Sequence, residues 1–187
     1  MKNVLIVLIF IVLTGSTVNA QGITFGVKAG GNLAKFTNND EFEFKFGPHF
    51  GAVADIEISE VFSLQPELLF SAQGYNQDFN GQRVKAKVDY FNIPIMASYM
   101  IAEGLRLQAG PQVGINLRKD IEVDDVEQSS IFVNDVDVSA IFGFQYMIDK
   151  SFFTQLRGAV GLTEIVTNLD QKHFVISLSF GFLFDRN

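Results

Sequence analysis

Two histidines, His49 and His173, are the side chains of this 187-residue sequence best suited to proton transfer, and there is no cysteine. The missing thiols exclude a cysteine nucleophile, a disulfide framework and any cysteine-ligated zinc or iron–sulfur site. Acyl transfer through a histidine needs a serine within hydrogen-bond reach and a carboxylate to orient the ring. Ser177 shares a strand face with His173 but lies about 13 Å along it, so no local dyad forms. Unless a distant partner completes a site, both histidines read as surface groups near loops. The run Asp120, Glu122, Asp124, Asp125 and Glu127 offers clustered oxygens of the kind Ca²⁺ prefers. It lacks the glycine turn and ligand spacing of an EF-hand loop, and it reads as a solvated acidic loop. Gly22 to Gly31 and Gly110 to Gly114 have no following helix, which argues against a phosphate cradle. They suit places where a sheet curves or a neighbour needs space.

Six charges stand singly among small and polar residues: Asp55, Glu57, Glu67, Arg106, Asp137 and Arg157. Isolated charges in a narrow interior must meet partners, because burying them unpaired is costly. An arginine offers five donors in a planar fork and can bridge more than one carboxylate. The expectation is a structural charge network, with Glu67 and Arg157 nearest mid-strand. No catalytic, cofactor-binding or metal-ligating residue is expected, and no cofactor.

Strands must position these groups, because apolar residues recur at period two. From His173 to Phe184 the even positions are Phe174, Ile176, Leu178, Phe180, Phe182 and Phe184, while the odd ones are mostly small or polar. The same split runs through Leu105 to Leu117 and through Val136 to Tyr146. A strand sends such sets to opposite faces. Eight strands are predicted, at 22–34, 48–58, 62–75, 88–100, 105–118, 135–147, 152–162 and 173–184. Long polar connections at 35–47, 76–87, 119–134 and 163–172 alternate with short turns at 59–61, 101–104 and 148–151. That alternation fits an all-β, eight-stranded antiparallel up-and-down transmembrane β-barrel, with short periplasmic turns and longer external loops.

Which face meets lipid is decided by the polar one. It is rich in Gly, Ser, Gln and Asn, whereas a water-facing side normally carries many Lys and Glu. The Phe/Leu/Ile set is therefore placed against lipid, around a filled polar lumen without an aqueous channel. The competing arrangement is a soluble, lipocalin-like periplasmic barrel with its apolar set turned inward on a ligand. Phe62, Tyr99, Tyr146, Phe152 and Phe184 would form an aromatic girdle at the short-turn end. Pro66, Pro94 and Pro111 fall inside predicted strands, where each lacks a ladder donor. The strands must bulge or break there, or the register differs locally.

Composition agrees. With 48% hydrophobic and 19% charged residues the chain is not a disordered acidic one. A net charge of −7 argues against nucleic-acid binding. Lys2, the apolar run Val4 to Leu13 and the small-residue end Val18-Asn19-Ala20 read as a secretory signal over 1–20. The barrel domain is then expected over 21–187. No later segment is apolar for 18 residues, so no transmembrane helix is expected.

Several segments carry a family resemblance. Phe62-Ser-Leu-Gln-Pro-Glu-Leu-Leu-Phe-Ser-Ala-Gln-Gly74, Tyr90-Phe-Asn-Ile-Pro-Ile95, Leu107-Gln-Ala-Gly-Pro-Gln-Val-Gly114 and Gly158-Ala-Val-Gly-Leu-Thr-Glu-Ile165 resemble the PorT-like outer-membrane β-barrel domain of Bacteroidota. Phe25-Gly-Val-Lys-Ala-Gly-Gly-Asn-Leu33 is similar to its opening. The prolines belong to the resemblance, and its motifs are structural. It implies the outer membrane of a Gram-negative bacterium, outer-membrane lipid as surroundings and envelope proteins as partners. The function expected is that of a non-enzymatic barrel acting through external loops or within an envelope assembly. The alternatives are a lipid-modifying barrel enzyme with a rim histidine and the soluble ligand binder.

Overall fold

The computed structural model describes residues 22–36, 44–79, 82–123, 126–128, 134–163 and 172–184. The segment expected to be a signal, 1–20, lies outside the described residues. The strands are β1 (Ile23–Phe36), β2 (Lys45–Glu57), β3 (Phe62–Phe79), β4 (Gln82–Ala102), β5 (Leu105–Val123), β6 (Val126–Gln128), β7 (Val136–Met147), β8 (Phe152–Gly161) and β9 (His173–Leu183). All pairings are antiparallel, in the order β4-β3-β2-β1-β9-β8-β7-β5, and β4 pairs with β5 to close the barrel. The three-residue β6 only extends the far end of β5. Eight staves thus form the closed up-and-down barrel that the alternation predicts.

The short connections match their expected places. At Glu103-Gly104 the backbone turns with Gly104 at φ 73°, a conformation that favours glycine. In the turn after β7, Asp149 accepts backbone bonds from Ser151 at 2.7 Å and Phe152 at 2.6 Å. Of the long connections, 76–87 is corrected. There β3 and β4 continue as a ladder down to Phe79↔Gln82, so this connection is strand hairpin rather than polar loop. Part of 119–134 is strand as well, since Ile121↔Gln128 to Val123↔Val126 join β5 to β6. Polarity misled because backbone pairing between strands needs no apolar face.

The prolines leave a mark on the ladders without breaking a strand. Pairing skips between Val53↔Glu67 and Ile56↔Leu64, between Pro66↔Ile95 and Leu69↔Asn92, and between Pro94↔Gln112 and Ala97↔Ala109. Each skipped stretch holds one proline, Pro66, Pro94 or Pro111 in turn, which has no N–H to give.

The faces are those expected. Phe25, Phe46, Phe142 and Phe180 point outward and are 57–70% exposed, whereas Gln65, Gln108, Gln145 and Gln155 point inward and are 0–1% exposed. The lipocalin-like arrangement needs the reverse. Tyr99, Tyr146, Phe152 and Phe184 are exposed at the short-turn end, where Phe62 pairs with Tyr99. The Phe152 and Phe182 rings meet there at 4.8 Å. Inside that end lies a small apolar base of Val53, Phe153 and Leu183, with Met147 against it.

Candidate functional site in the barrel lumen

Above the apolar base the lumen is polar and tightly bonded. Gln108 Nε2 donates to Gln65 Oε1 at 2.8 Å and to Gln145 Oε1 at 3.0 Å, and Gln155 Nε2 donates to Gln145 Oε1 at 2.6 Å. These amides come from β3, β5, β7 and β8, so the layer crosses the whole bore. Each glutamine is long enough to reach the axis and has both a donor and an acceptor to complete a network.

The charged groups sit on this layer. Arg157 grips Glu67 with both terminal nitrogens, at 2.9 and 2.7 Å, while its Nε and Nη2 donate to Gln108 Oε1 at 3.1 and 2.8 Å. Lys28 Nζ lies 2.7 Å from Glu67 Oε2, the oxygen that also accepts from Arg157 Nη1, and donates to Gln155 Oε1 at 3.0 Å. One carboxylate thus serves two cations, all three groups being nearly free of solvent. The second arginine lies toward the short-turn end. Arg106 Nη1 donates to Asp55 Oδ2 at 3.2 Å and to Ser63 Oγ at 3.0 Å, and its Nη2 is 3.9 Å from Glu57 Oε1. Glu57 is half exposed there. Asp137 joins neither arginine in this way. It lies toward the opposite end and accepts from Ser139 Oγ at 2.6 Å and Thr163 Oγ1 at 2.8 Å.

Sequence reasoning missed Lys28 and the glutamines. Lys28 shares its inward face with Gly26 and Gly30, and a long cation between two glycines was the available signal. Nothing local marks the glutamines as partners, since they meet from strands far apart in the chain.

The histidines are not surface groups. His49 is 3% and His173 2% exposed, both turned into the lumen. His49 Nε2 lies 2.7 Å from Ser179 Oγ on β9. His173 Nε2 lies 2.8 Å from the Tyr90 hydroxyl, with the two rings edge to face at 5.2 Å. These pairs, with Asp137, Ser177 and Asn92, line a cavity of about 40 Å³, room for roughly three waters. The serine–histidine contact that acyl transfer requires is present over Gly30 of β1, which pairs with both residues. The orienting acid is not, because His49 Nδ1 has no hydrogen-bond partner among the described residues. No cluster of metal-ligating side chains occurs among the described residues. Asp120, Glu122 and Glu127 lie on the β5–β6 hairpin, and Asp124 and Asp125 fall outside the described residues.

Comparisons with known proteins agree with this architecture. The model of a family described as outer membrane protein β-barrel domain matches residues 19–167. Ail, the attachment invasion locus protein of Yersinia pestis, has a similar fold at 12% identity, with a TM-score of 0.54 over 87% of this chain and 99% of that one. Neisserial surface protein A is similar at 14% identity, with a TM-score of 0.57 over 87% and 99%. At these identities the likeness concerns the fold alone. No curated protein matches the chain.

Proposed function

The chain belongs to the outer membrane protein β-barrel domain family, and from that premise we propose that it is a non-conducting surface barrel acting through what it presents outside the membrane. The observation that carries this reading is the sealed bore. The apolar base, the glutamine layer and the Lys28–Glu67–Arg157 cluster fill it in succession. A solute would have to break buried ion pairs to pass. The long connections and the β3–β4 hairpin then remain as the parts able to meet an envelope protein partner.

In this reading residues 1–20 are the export signal, the short turns face the periplasm, and 35–47, 76–87, 119–134 and 163–172 face the exterior. The even number of staves and the placing of Gly22 and Phe184 at the short-turn end support that topology. The segments around Pro66, Pro94 and Pro111 support a place among PorT-like members of Bacteroidota. Of the six charges named from the sequence, Asp55, Glu57, Glu67, Arg106 and Arg157 act structurally as ion pairs in the lumen, and Asp137 acts by holding the hydroxyls of Ser139 and Thr163.

Conductance in planar bilayers tests the reading. The purified barrel should give no steady single-channel steps, and porin-like steps would overturn it. An impermeant thiol reagent should label an engineered cysteine at 149 only after the cells are opened. Labelling in intact cells would invert the topology.

A lipid-modifying enzyme has one observation in its favour, the 2.7 Å contact between His49 and Ser179. Against it stand the lack of an orienting acid on His49 among the described residues and a cavity without room for an acyl chain. The enzyme reading predicts altered lipid A in a deletion strain and in His49→Ala, and an unchanged profile removes it.

A further inference from the structure

The cavity above the Lys28–Glu67–Arg157 cluster meets only one sign of that cluster's charge. Lys28 and Arg157 both line it, whereas Glu67 and the four glutamines of the layer beneath do not. With one carboxylate serving two cations the cluster carries one positive charge, and its cationic side is the one turned to the cavity. Charge of one sign beside a small enclosed space attracts its opposite strongly, because little water is there to screen it. Asp137 also lines the cavity, but at the far end. It stands six residues along β7 from Gly143, the partner of Arg157, which is about 20 Å of extended strand. Its carboxylate already holds the hydroxyls of Ser139 and Thr163.

The walls hold hydrogen-bonding groups that are not used. Asn92 on β4 and Gln112 on β5 line the cavity, are 4% and 8% exposed, and have no side-chain hydrogen bond among the described residues. Ser177 on β9, opposite Arg157 in the ladder, has none among them either. His49 adds its Nδ1, which lacks a partner among the described residues. With the Ser179 hydroxyl donating to Nε2, this Nδ1 carries the ring hydrogen and is a donor. The Lys28 ammonium, with three hydrogens to give, meets only Glu67 and Gln155. Buried polar groups without partners are rare, and each calls for a water, an ion or a ligand. Here they converge from five staves on a space of about 40 Å³, room for about three or four non-hydrogen atoms.

We propose that this cavity binds a small planar monovalent oxyanion, of the size of formate, nitrate or bicarbonate, with Lys28 and Arg157 on its charge and Asn92, Gln112, Ser177 and His49 around its oxygens. The single net positive charge of the cluster matches a monovalent anion, and the space is too small for a tetrahedral phosphate or sulfate. Several oxygens can meet donors on separate staves at once, which a spherical halide does less well. The glutamine layer closes the short-turn side, so the anion enters from the end of the long connections, the exterior in the topology proposed above. Ordered water alone would also satisfy the unused groups, and the experiment separates that case.

The purified full-length barrel, isotope-labelled for NMR in detergent micelles at neutral pH, would be titrated separately with sodium formate, sodium nitrate, sodium chloride and neutral formamide. Ionic strength would be held with gluconate, which is too large to enter. Formate and nitrate should shift the amides of the cavity residues saturably. Formamide matches formate in size without its charge and should bind about 10-fold more weakly. Gln112→Glu sets a like charge in the cavity without touching the cluster and should lose about 10-fold or more of the formate affinity. Lys28→Gln should lose as much, whereas Glu60→Gln in the short turn should lose none. Heat-modifiable gel migration would show that the variants are folded. Undiminished formate binding in folded Gln112→Glu, equal binding of formamide, or no saturable shift at all would overturn the proposal and leave the cavity to water. Chloride binding as tightly as formate would overturn the oxyanion part of it. Conductance tests the sealed bore separately and is not at stake in these titrations.

Discussion

Glu67→Gln is the sharpest perturbation of the lumen. It preserves the shape of the side chain and removes the carboxylate that Lys28 meets at 2.7 Å and Arg157 at 2.7 and 2.9 Å. The groups are 2%, 4% and 5% exposed for Glu67, Lys28 and Arg157, so water cannot take over the lost charge. Breaking a buried pair from one side costs about 3–5 kcal/mol. Here two cations are left facing each other, while the new amide oxygen still accepts one bond worth about 1–2 kcal/mol. A loss of about 3 kcal/mol is expected. Arg157→Met should be milder, roughly 2 kcal/mol, because Lys28 stays to neutralise Glu67. Adding Lys28→Met to Glu67→Gln removes one of the opposed cations and should restore about 1 kcal/mol. Urea unfolding in detergent, followed by circular dichroism and gel migration, reads wild type, these three variants and Lys28→Met alone. A Glu67→Gln barrel within about 0.5 kcal/mol of wild type would refute the shared-carboxylate argument. So would a double variant that loses simply the sum of its parts.

Other outcomes follow from the same geometry. Arg157→Ala should lower the urea midpoint far more than Lys150→Ala in the exposed turn, and equal midpoints would place Arg157 outside a packed lumen. Gly181→Ala pushes a methyl into the Phe153 ring, which packs directly over that backbone; a loss of about 1–3 kcal/mol is expected, and a neutral substitution would contradict the packing. Leu178→Arg sets a charge midway along the outward face of β9 and should cost about 2–4 kcal/mol in lipid vesicles, so an unchanged unfolding midpoint there would count against a lipid-facing wall. At the short turn, the backbone N–H groups of Phe152 and Ser151 hold the Asp149 carboxyl below the usual carboxylate range. A lowered carboxyl pKa supports the fold above its unfolded value and loses that support as pH falls through the folded one. Asp149→Ala should therefore be slightly less stable at neutral pH and converge with wild type below about pH 4; a gap that persists undiminished into acid would refute this.

The sequence by itself determined the staves and their faces. Period-two alternation is a local property of a strand, so His173 to Phe184 announced which side chains go out and which go in. A polar face short of the many Lys and Glu that a water-facing side carries pointed to a closed lumen, which left the apolar set for lipid. What alternation could not decide is who meets whom across the bore. Glu67 on β3 and Arg157 on β8 are 90 residues apart, and Tyr90 on β4 and His173 on β9 are 83 apart. Their meeting depends on the stagger at which the sheet closes on itself, a property of all eight staves together. The register of the closing β4–β5 ladder also shifts between Asp89 and Tyr90 and between Met100 and Ala102, and no strand pattern contains that effect. The histidines lie inside the bore because each belongs to the inward set of its strand, a periodicity that outweighs their nearness to loops. The β3–β4 hairpin was hidden differently: its backbone ladder runs on to Phe79↔Gln82, and backbone pairing leaves no mark on side-chain periodicity.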